Sequence, residues 1–296
     1  MTTAEFGFDS TSEEVTRGID LSGTSWLITG FNSGLGEETA RVLALRGAHI
    51  VGTARTASKA AEAFERLGIE GTPIACELAS VASVRAAVDA VRDTGIALDG
   101  IIANAGIMAL PELRQQDGFE LQFFTNHVGH FALVTGLIDQ LTDEGRVVVL
   151  SSMAHTMARE RGLELDNLSG ERDYHPWRMY GRSKLANILF ARSLARRFAE
   201  AGSRRTANAL HPGVIKTNLS RHIPDAEGMF SRMTVTLKTV EQGAATQCFV
   251  ATHPSLSSAN GQYFSDCQEA RAIPAAYDDA LAELLWARTE EILSTL

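Results

Sequence analysis

The chain has 296 residues, of which 45% are hydrophobic and 21% charged, a balance that fits a globular protein and excludes a disordered one. Its 36 acids and 27 bases give a formal charge of −9, which argues against nucleic acid and anionic membranes as partners. Cys76, Cys248 and Cys267 lie far apart, which excludes a disulfide framework and a CxxC zinc site and fits a reducing cytoplasm; no apolar run is long enough to span a membrane, and the acidic start does not read as a signal peptide.

Residues 1–22 are polar and acidic with no strong period, and are expected to be a leader that packs late or loosely. Ser25–Thr29 reads as a buried strand followed by a glycine-rich turn. Leu35, Thr39, Val42 and Leu43 have helical spacing, and Gly47 closes that helix. Ala48–Ala54 reads as a second strand, Pro73–Leu78 as a third, Val81–Arg92 as a helix and Gly100–Ala103 as a strand. A helix is expected within Asp117–Leu141, then a strand at Arg146–Leu150 and a long helix at Arg178–Glu200. Asn208–His211 and Gln262–Phe264 read as strands, Glu241–Thr252 and Ala276–Leu293 as helices. Strands that are apolar on both faces and alternate with helices predict an α/β fold, a single doubly wound, Rossmann-type parallel sheet of about seven strands. With no linker or repeat, residues 23–296 are expected to form one domain.

Two patterns carry chemistry. The first strand runs into Thr29-Gly30-Phe31-Asn32-Ser33-Gly34-Leu35-Gly36 and then a helix. Such a turn lets backbone N–H groups and a helix N-terminus meet a pyrophosphate. Its spacing departs from G-x-G-x-x-G. Tyr180 and Lys184 are four apart on a helix and share a face. A nearby ammonium favours the phenolate, which suits a phenol to proton transfer at a carbinol oxygen. With four tyrosines and four lysines in the chain, chance supplies roughly 0.05 such pairs.

In order, the glycine turn, Asn104-Ala105-Gly106, Ser151-Ser152, Tyr180-x3-Lys184, and Pro212-Gly213 with Thr217 resemble the short-chain dehydrogenase/reductase family over about residues 20–296. Asn126-His-Val-Gly-His-Phe131, Ser183-Lys-Leu-Ala-Asn187, Leu210-His-Pro-Gly213 and Tyr263-Phe-Ser-Asp-Cys267 are similar to one branch. It holds the retinol dehydrogenases, the WW-domain-containing oxidoreductases and a chloroplast translocon-associated dehydrogenase. Phe8–Val15 resembles the leader of the plant members, and no N-terminal membrane anchor is expected. The resemblance implies hydride transfer between a nicotinamide cofactor and a lipophilic carbonyl or alcohol, in a homodimer or homotetramer. Tyr180 would be the general acid or base, and Lys184 would lower its pKa and bind the nicotinamide ribose. Ser152 would hold the reacting oxygen, and Asn126 would hold a relay water. Gly30, Asn32, Ser33, Gly34, Leu35 and Gly36 would bind the pyrophosphate. Glu77, Leu78, Asn104, Ala105 and Gly106 would line the adenosine side, and Pro212, Gly213 and Thr217 the nicotinamide end. Three features depart from the pattern. Ser152 and Tyr180 are 28 apart, about twice the common spacing, so Met153–Arg178 must loop out and return. Ala103 replaces an Asn before Asn104, and Glu77 stands in place of an Asp.

At the end of the second strand the sequence is Thr53-Ala54-Arg55-Thr56, with no carboxylate for ribose hydroxyls and an Arg suited to a 2′-phosphate. This predicts NADP(H), with NAD(H) the poorer fit. His127 and His130 lack a third ligand and are read as packed side chains rather than a metal site. His155, Trp177 and Met153, Met157 and Met179 are candidates for a substrate wall or for ordinary packing. Val214–Thr236, with Pro224 and Gly228, has no clear period and is expected to be a mobile lid. A serine hydrolase would need G-x-S-x-G, which is absent from the sequence. A nucleotide-sensing scaffold on the same fold is the non-enzymatic alternative.

Overall fold

The structure is a computed structural model that describes residues 6–296. Its elements run α1 (Ser12–Val15), β1 (Ser25–Thr29), α2 (Gly34–Leu45), β2 (His49–Ala54), α3 (Ala57–Leu67), β3 (Gly71–Ala75), α4 (Val81–Asp93) and β4 (Leu98–Ala103). A small hairpin, β5 (Gln115–Gln116) with β6 (Phe119–Glu120), leads into α5 (Leu121–Phe123), a π-helical turn (Phe124–Val128) and α6 (Gly129–Gly136). Then come β7 (Leu141–Leu150), α7 (Pro176–Glu200), β8 (Thr206–His211), α8 (Ala226–Arg232), α9 (Val240–Thr252), β9 (Tyr263–Ser265), β10 (Gln268–Glu269) and α10 (Asp279–Ser294).

The main sheet has the order β10-β9-β8-β7-β4-β1-β2-β3. Every pairing is parallel except β10 with β9. It has eight strands where about seven are expected, because the two-residue β10 folds back on β9. Alternate strand residues feed two cores, as a doubly covered sheet requires. Leu27, Val147 and Val149 pack with α4, α6, α7 and α10 on one face. Trp26, Ile28, Val148 and Leu150 pack with α2, α3 and α9 on the other.

Two parts differ from the sequence-based expectation. The leader is not loose over residues 12–16. Ser12, Val15 and Thr16 are buried, Ser12 Oγ donates to Glu38 Oε1 at 2.6 Å, and Arg46 Nε donates to Thr16 Oγ1 at 3.1 Å. A single buried turn is too short to show a period, so its packing is set by tertiary contacts. Helix α3 was not expected at all. Thr56 caps its start and Gly68 closes it at φ 64°, and its buried stripe is Ala60, Ala63 and Phe64, which holds two alanines and one large apolar residue. Cys76, Cys248 and Cys267 are free and buried.

Candidate active site

A cavity of about 890 Å³ runs along the carboxyl ends of β1, β2, β4, β7 and β8. It straddles β1 and β4, where the strand order reverses, the place at which open α/β sheets bind ligands. At one end the glycine turn leads into α2. A Cβ on Gly36 would lie 2.5 Å from the Gly30 carbonyl oxygen and 2.6 Å from Asn104 Nδ2, so only glycine lets α2 start this close to the turn. Gly36 thus shapes the wall without lining it, whereas Gly30, Asn32, Ser33, Gly34 and Leu35 do line it. Ser33 is the N-cap of α2 yet makes no side-chain capping bond, and the partial positive charge of the helix start faces the cavity end. From α3, Arg66 Nη2 donates to the Asn32 carbonyl at 3.0 Å while its Nε pairs with Glu37 at 3.0 Å, which pins the turn.

Beyond β2, Arg55 is an exposed guanidinium on the cavity wall. Glu77 and Leu78 also line it, but Glu77 Oε1 turns back to accept from Ala79 N at 3.2 Å. Asn104, Ala105 and Gly106 form the floor. Asn104 Nδ2 donates to the Thr29 carbonyl at 2.8 Å, and Asn104 N and Ala105 N both donate to Thr29 Oγ1 at 2.9 Å. Pro212, Gly213 and Thr217 close the opposite side. Thr217 Oγ1 accepts from Leu219 N at 3.3 Å and so starts the covering segment. These glycine-turn, adenosine-side and covering residues fit a dinucleotide.

Ser152, Tyr180 and Lys184 meet on the same cavity. The long insertion returns because α7 grips it. Arg182, itself buried, donates to the carbonyls of Leu163, Glu164 and Asn167 at 2.8, 2.9 and 3.1 Å. A Cβ on Gly181 would press on the Ala154 carbonyl oxygen, so glycine lets Tyr180 approach the Ser152 turn. Ser151 Oγ adds a bond to the Lys184 carbonyl at 2.8 Å. Lys184 Nζ donates to the Leu150 carbonyl at 3.0 Å and stands 5.6 Å from the centroid of the Tyr180 ring. Burial pushes the Lys184 ammonium down to about 8. Burial also pushes the Tyr180 phenol up to about 12, with the Ser152 side chain pulling the other way. In this geometry the Lys184 donor is engaged by the Leu150 carbonyl, and burial dominates the Tyr180 phenol.

Asn126 does not line the cavity; it sits behind it in the π turn. Its Oδ1 accepts from Ile107 N at 2.9 Å, and its Nδ2 donates to the Ile107 carbonyl at 2.9 Å and to Ser183 Oγ at 3.0 Å. Trp177, Met153 and Met157 join the wall, with the Trp177 ring edge-on to Tyr180 at 6.3 Å. Met179 lies in the interior against Arg182 instead. His155 is a strut rather than a wall residue: Nδ1 bonds the Ser152 carbonyl at 2.7 Å and Nε2 accepts from Ile273 N at 3.2 Å. His127 packs among Phe123, Phe131 and Phe190 with Nε2 3.0 Å from Thr289 Oγ1. Arg221 and His222 line the cavity from within the segment expected to be a lid, and Arg114 lines it without having been foreseen, because it lies in a segment with no periodic signal. No helix among the described residues is long and apolar enough to cross a membrane.

A family model described as Enoyl-(Acyl carrier protein) reductase matches residues 30–253. Short-chain dehydrogenase TIC 32 B, chloroplastic, of Brassica napus is 39% identical, over 98% of this chain and 95% of its own. Retinol dehydrogenase 14 of Homo sapiens is 37% identical, over 93% of this chain and 88% of its own. Among solved structures, a putative uncharacterized protein from Mycobacterium paratuberculosis is 33% identical with a TM-score of 0.77, covering 95% of this chain and 97% of that one. A short chain dehydrogenase from Burkholderia cenocepacia in complex with NADP is 27% identical with a TM-score of 0.64, covering 82% of this chain and 96% of that one. With a doubly wound sheet, a glycine turn at its switch point and a Tyr-Lys helix at the opposite wall, the chain belongs to the short-chain dehydrogenase/reductase family of oxidoreductases.

Proposed function

We propose that the chain is an NADP(H)-dependent oxidoreductase that interconverts a lipophilic carbonyl compound and its alcohol, within one domain of residues 23–296. One observation carries the reading: Ser152, Tyr180 and Lys184 share a cavity with the glycine turn and Arg55. NADP(H), when bound, supplies or takes the hydride. Tyr180 Oη gives its proton to the carbonyl oxygen in reduction and takes it back in oxidation. Ser152 Oγ holds that oxygen by a hydrogen bond. Lys184 Nζ, four residues along α7 from Tyr180, would turn from the Leu150 carbonyl to hold the ribose and so favour the phenolate. Asn126 keeps Ile107, and with it the cavity floor, in place.

Arg55 and the absence of an acid in Thr53-Ala54-Arg55 support the phosphorylated cofactor, as do relatives solved with NADP. Met108, Leu110, Met153, Met157, Trp177 and Phe230 on the wall support an apolar substrate body. The free, buried cysteines support a cytoplasmic location. The expected homodimer or homotetramer is read directly by light scattering.

The test is NADPH consumption by purified protein over aromatic, steroidal and retinoid carbonyls, beside Tyr180→Phe. The variant keeps the ring and removes the proton donor, so kcat is expected to fall at least about 10²-fold with NADPH affinity nearly intact. A folded Phe variant with near wild-type turnover ends the proposed roles. NADPH binding without turnover of any carbonyl would favour a nucleotide-sensing scaffold.

A further inference from the structure

A closed ring of hydrogen bonds lies behind the cavity floor, and one of its members has no role in the proposed chemistry. Thr29 Oγ1 accepts from Asn104 N and Ala105 N, each at 2.9 Å. With two N–H donors on that oxygen, the hydroxyl hydrogen is left for His130 Nε2 at 2.8 Å. His130 is then the Nδ1–H tautomer, and Nδ1 donates to the Asn126 carbonyl at 2.9 Å. Asn126 in turn grips Ile107 by both ends of its amide. Thr29, Asn126 and His130 are all buried. Burial, aided by the Lys184 charge, pushes the imidazole down to about 4, so the neutral ring that the ring of bonds needs persists through the working pH range.

We infer that His130 is a positioning residue: by joining Thr29 at the cofactor turn to Asn126 in the π turn, it fixes Asn104–Ile107 at both ends and sets the register between cofactor and proton donor. Residues 104 and 105 hang from Thr29, and residue 107 hangs from Asn126. Without His130 the two supports move independently. A misplacement of about 1 Å between reacting groups costs up to about 10²-fold in rate, so a brace at this point acts on chemistry and not on stability alone. The inference rests on the oxidoreductase reading for its rate readout, but not for its binding readout.

The two ring nitrogens can be tested apart. His130→Asn keeps a donor near the Nδ1 position for Asn126 and gives up Thr29. His130→Gln keeps a polar group near the Nε2 position for Thr29 and gives up Asn126. Each is compared with wild type for NADPH dissociation constant by cofactor fluorescence, kcat and KM on a carbonyl found in the screen, and thermal midpoint. His130→Asn is expected to weaken NADPH about tenfold and to lower kcat as well, since the brace is cut at Thr29; His130→Gln is expected to hold NADPH affinity and lower kcat about tenfold with KM unchanged. Losses of equal size on both readouts in both variants, following the thermal midpoint, overturn the inference, as do wild-type values in both. If neither variant folds, the tautomer of His130 in the wild-type chain is read by nitrogen NMR: a neutral Nδ1–H imidazole at neutral pH is expected, and an Nε2–H or cationic ring overturns the inference. Wild-type turnover and the Tyr180→Phe loss report on the oxidoreductase reading by themselves, and the NADPH constants are measured without turnover, so the two failures are distinguishable.

Discussion

Lys184 and Arg55 make opposite demands on water. Lys184 is buried, and its ammonium is lowered from 10.5 to about 8 by that burial. A folded-state value below the unfolded one means that the unfolded chain binds the extra proton between the two values. Stability is therefore depressed in full below about 8 and recovers as pH rises toward 10.5. Lys184→Met, assayed without added cofactor, is expected to raise the thermal midpoint at pH 7, with the gap to wild type closing above pH 8. Asn187 Nδ2 also donates to the Leu150 carbonyl at 2.9 Å, so that acceptor stays satisfied in the variant. A constant gap across pH would mean that Lys184 is not desolvated. Arg55 is exposed at the wall. Arg55→Ala is expected to weaken NADPH about tenfold and leave NADH nearly unchanged, since a charge-assisted pair to phosphate is worth about 1.5–3 kcal/mol. Equal weakening of both cofactors would make Arg55 structural. Tyr180 and Lys184 stand out in the sequence because a four-residue spacing on a helix is a local property, whereas Ser152 enters only through the family resemblance, and all three lie on one cavity. Gly181 does not stand out, because what forbids a Cβ there is the Ala154 carbonyl of another segment.

Elements were legible where several bulky apolar residues recur at a regular spacing. The Val-rich β7 and the long stripe of α7 stand out, and both lie close to where their periods put them. The π turn at Phe124–Val128 was not legible, since nothing in a 3.6-residue period announces it. Helix α3 braces the site although it carries only one large apolar residue on its buried stripe: Phe64 packs at a tilt on Phe31 with centroids 4.6 Å apart, and Arg66 pins Asn32, so it stiffens the glycine turn from outside. The segment expected to be a lid holds a 3-10 turn, Asn218–His222, and α8. Its two ends are pinned together, with Lys238 N donating to the Val214 carbonyl at 2.9 Å and Ile215 bridged to Lys238. Lys238 is itself buried and paired with Asp266 at 2.5 Å. Such a loop, closed at its base and apolar beneath, is expected to exchange amide hydrogens fastest among internal segments and to slow on adding NADPH with a ligand. Strong protection from the start, unchanged by both, would move substrate selection to Met153–Arg178.

At the scale of the whole molecule, the sheet order β3-β2-β1-β4-β7-β8-β9 puts the cofactor turn and the Tyr-Lys helix on opposite sides of one crevice. That much follows from alternating strands and helices joined by right-handed crossovers. What the alternation does not reveal is how the chain before β1 is used. Phe6 packs against Phe249 and His253, Gln268 Nε2 donates to the Phe6 carbonyl at 2.7 Å, and Ser12 meets the buried Glu38. The leader thus laces α2, α9 and the β10 edge together. Removing residues 1–16 is expected to lower the thermal midpoint by several degrees, at about 2–4 °C per kcal/mol for a chain of this size, with NADPH affinity retained. An unchanged midpoint would show that the lacing carries no stability.

The three thiols described as free are also chemically quiet. Burial pushes Cys76 up to about 12 and Cys267 up to about 11, and raises Cys248 further still. Thiolate, the form that alkylating reagents attack, is scarce at all three near neutral pH. The native chain therefore offers a clean background for site-directed dye attachment. Ser231, exposed on α8, is a suitable place for a single introduced cysteine. A maleimide fluorophore on Ser231→Cys would report the movement of α8 in real time, with no need to remove any native cysteine first.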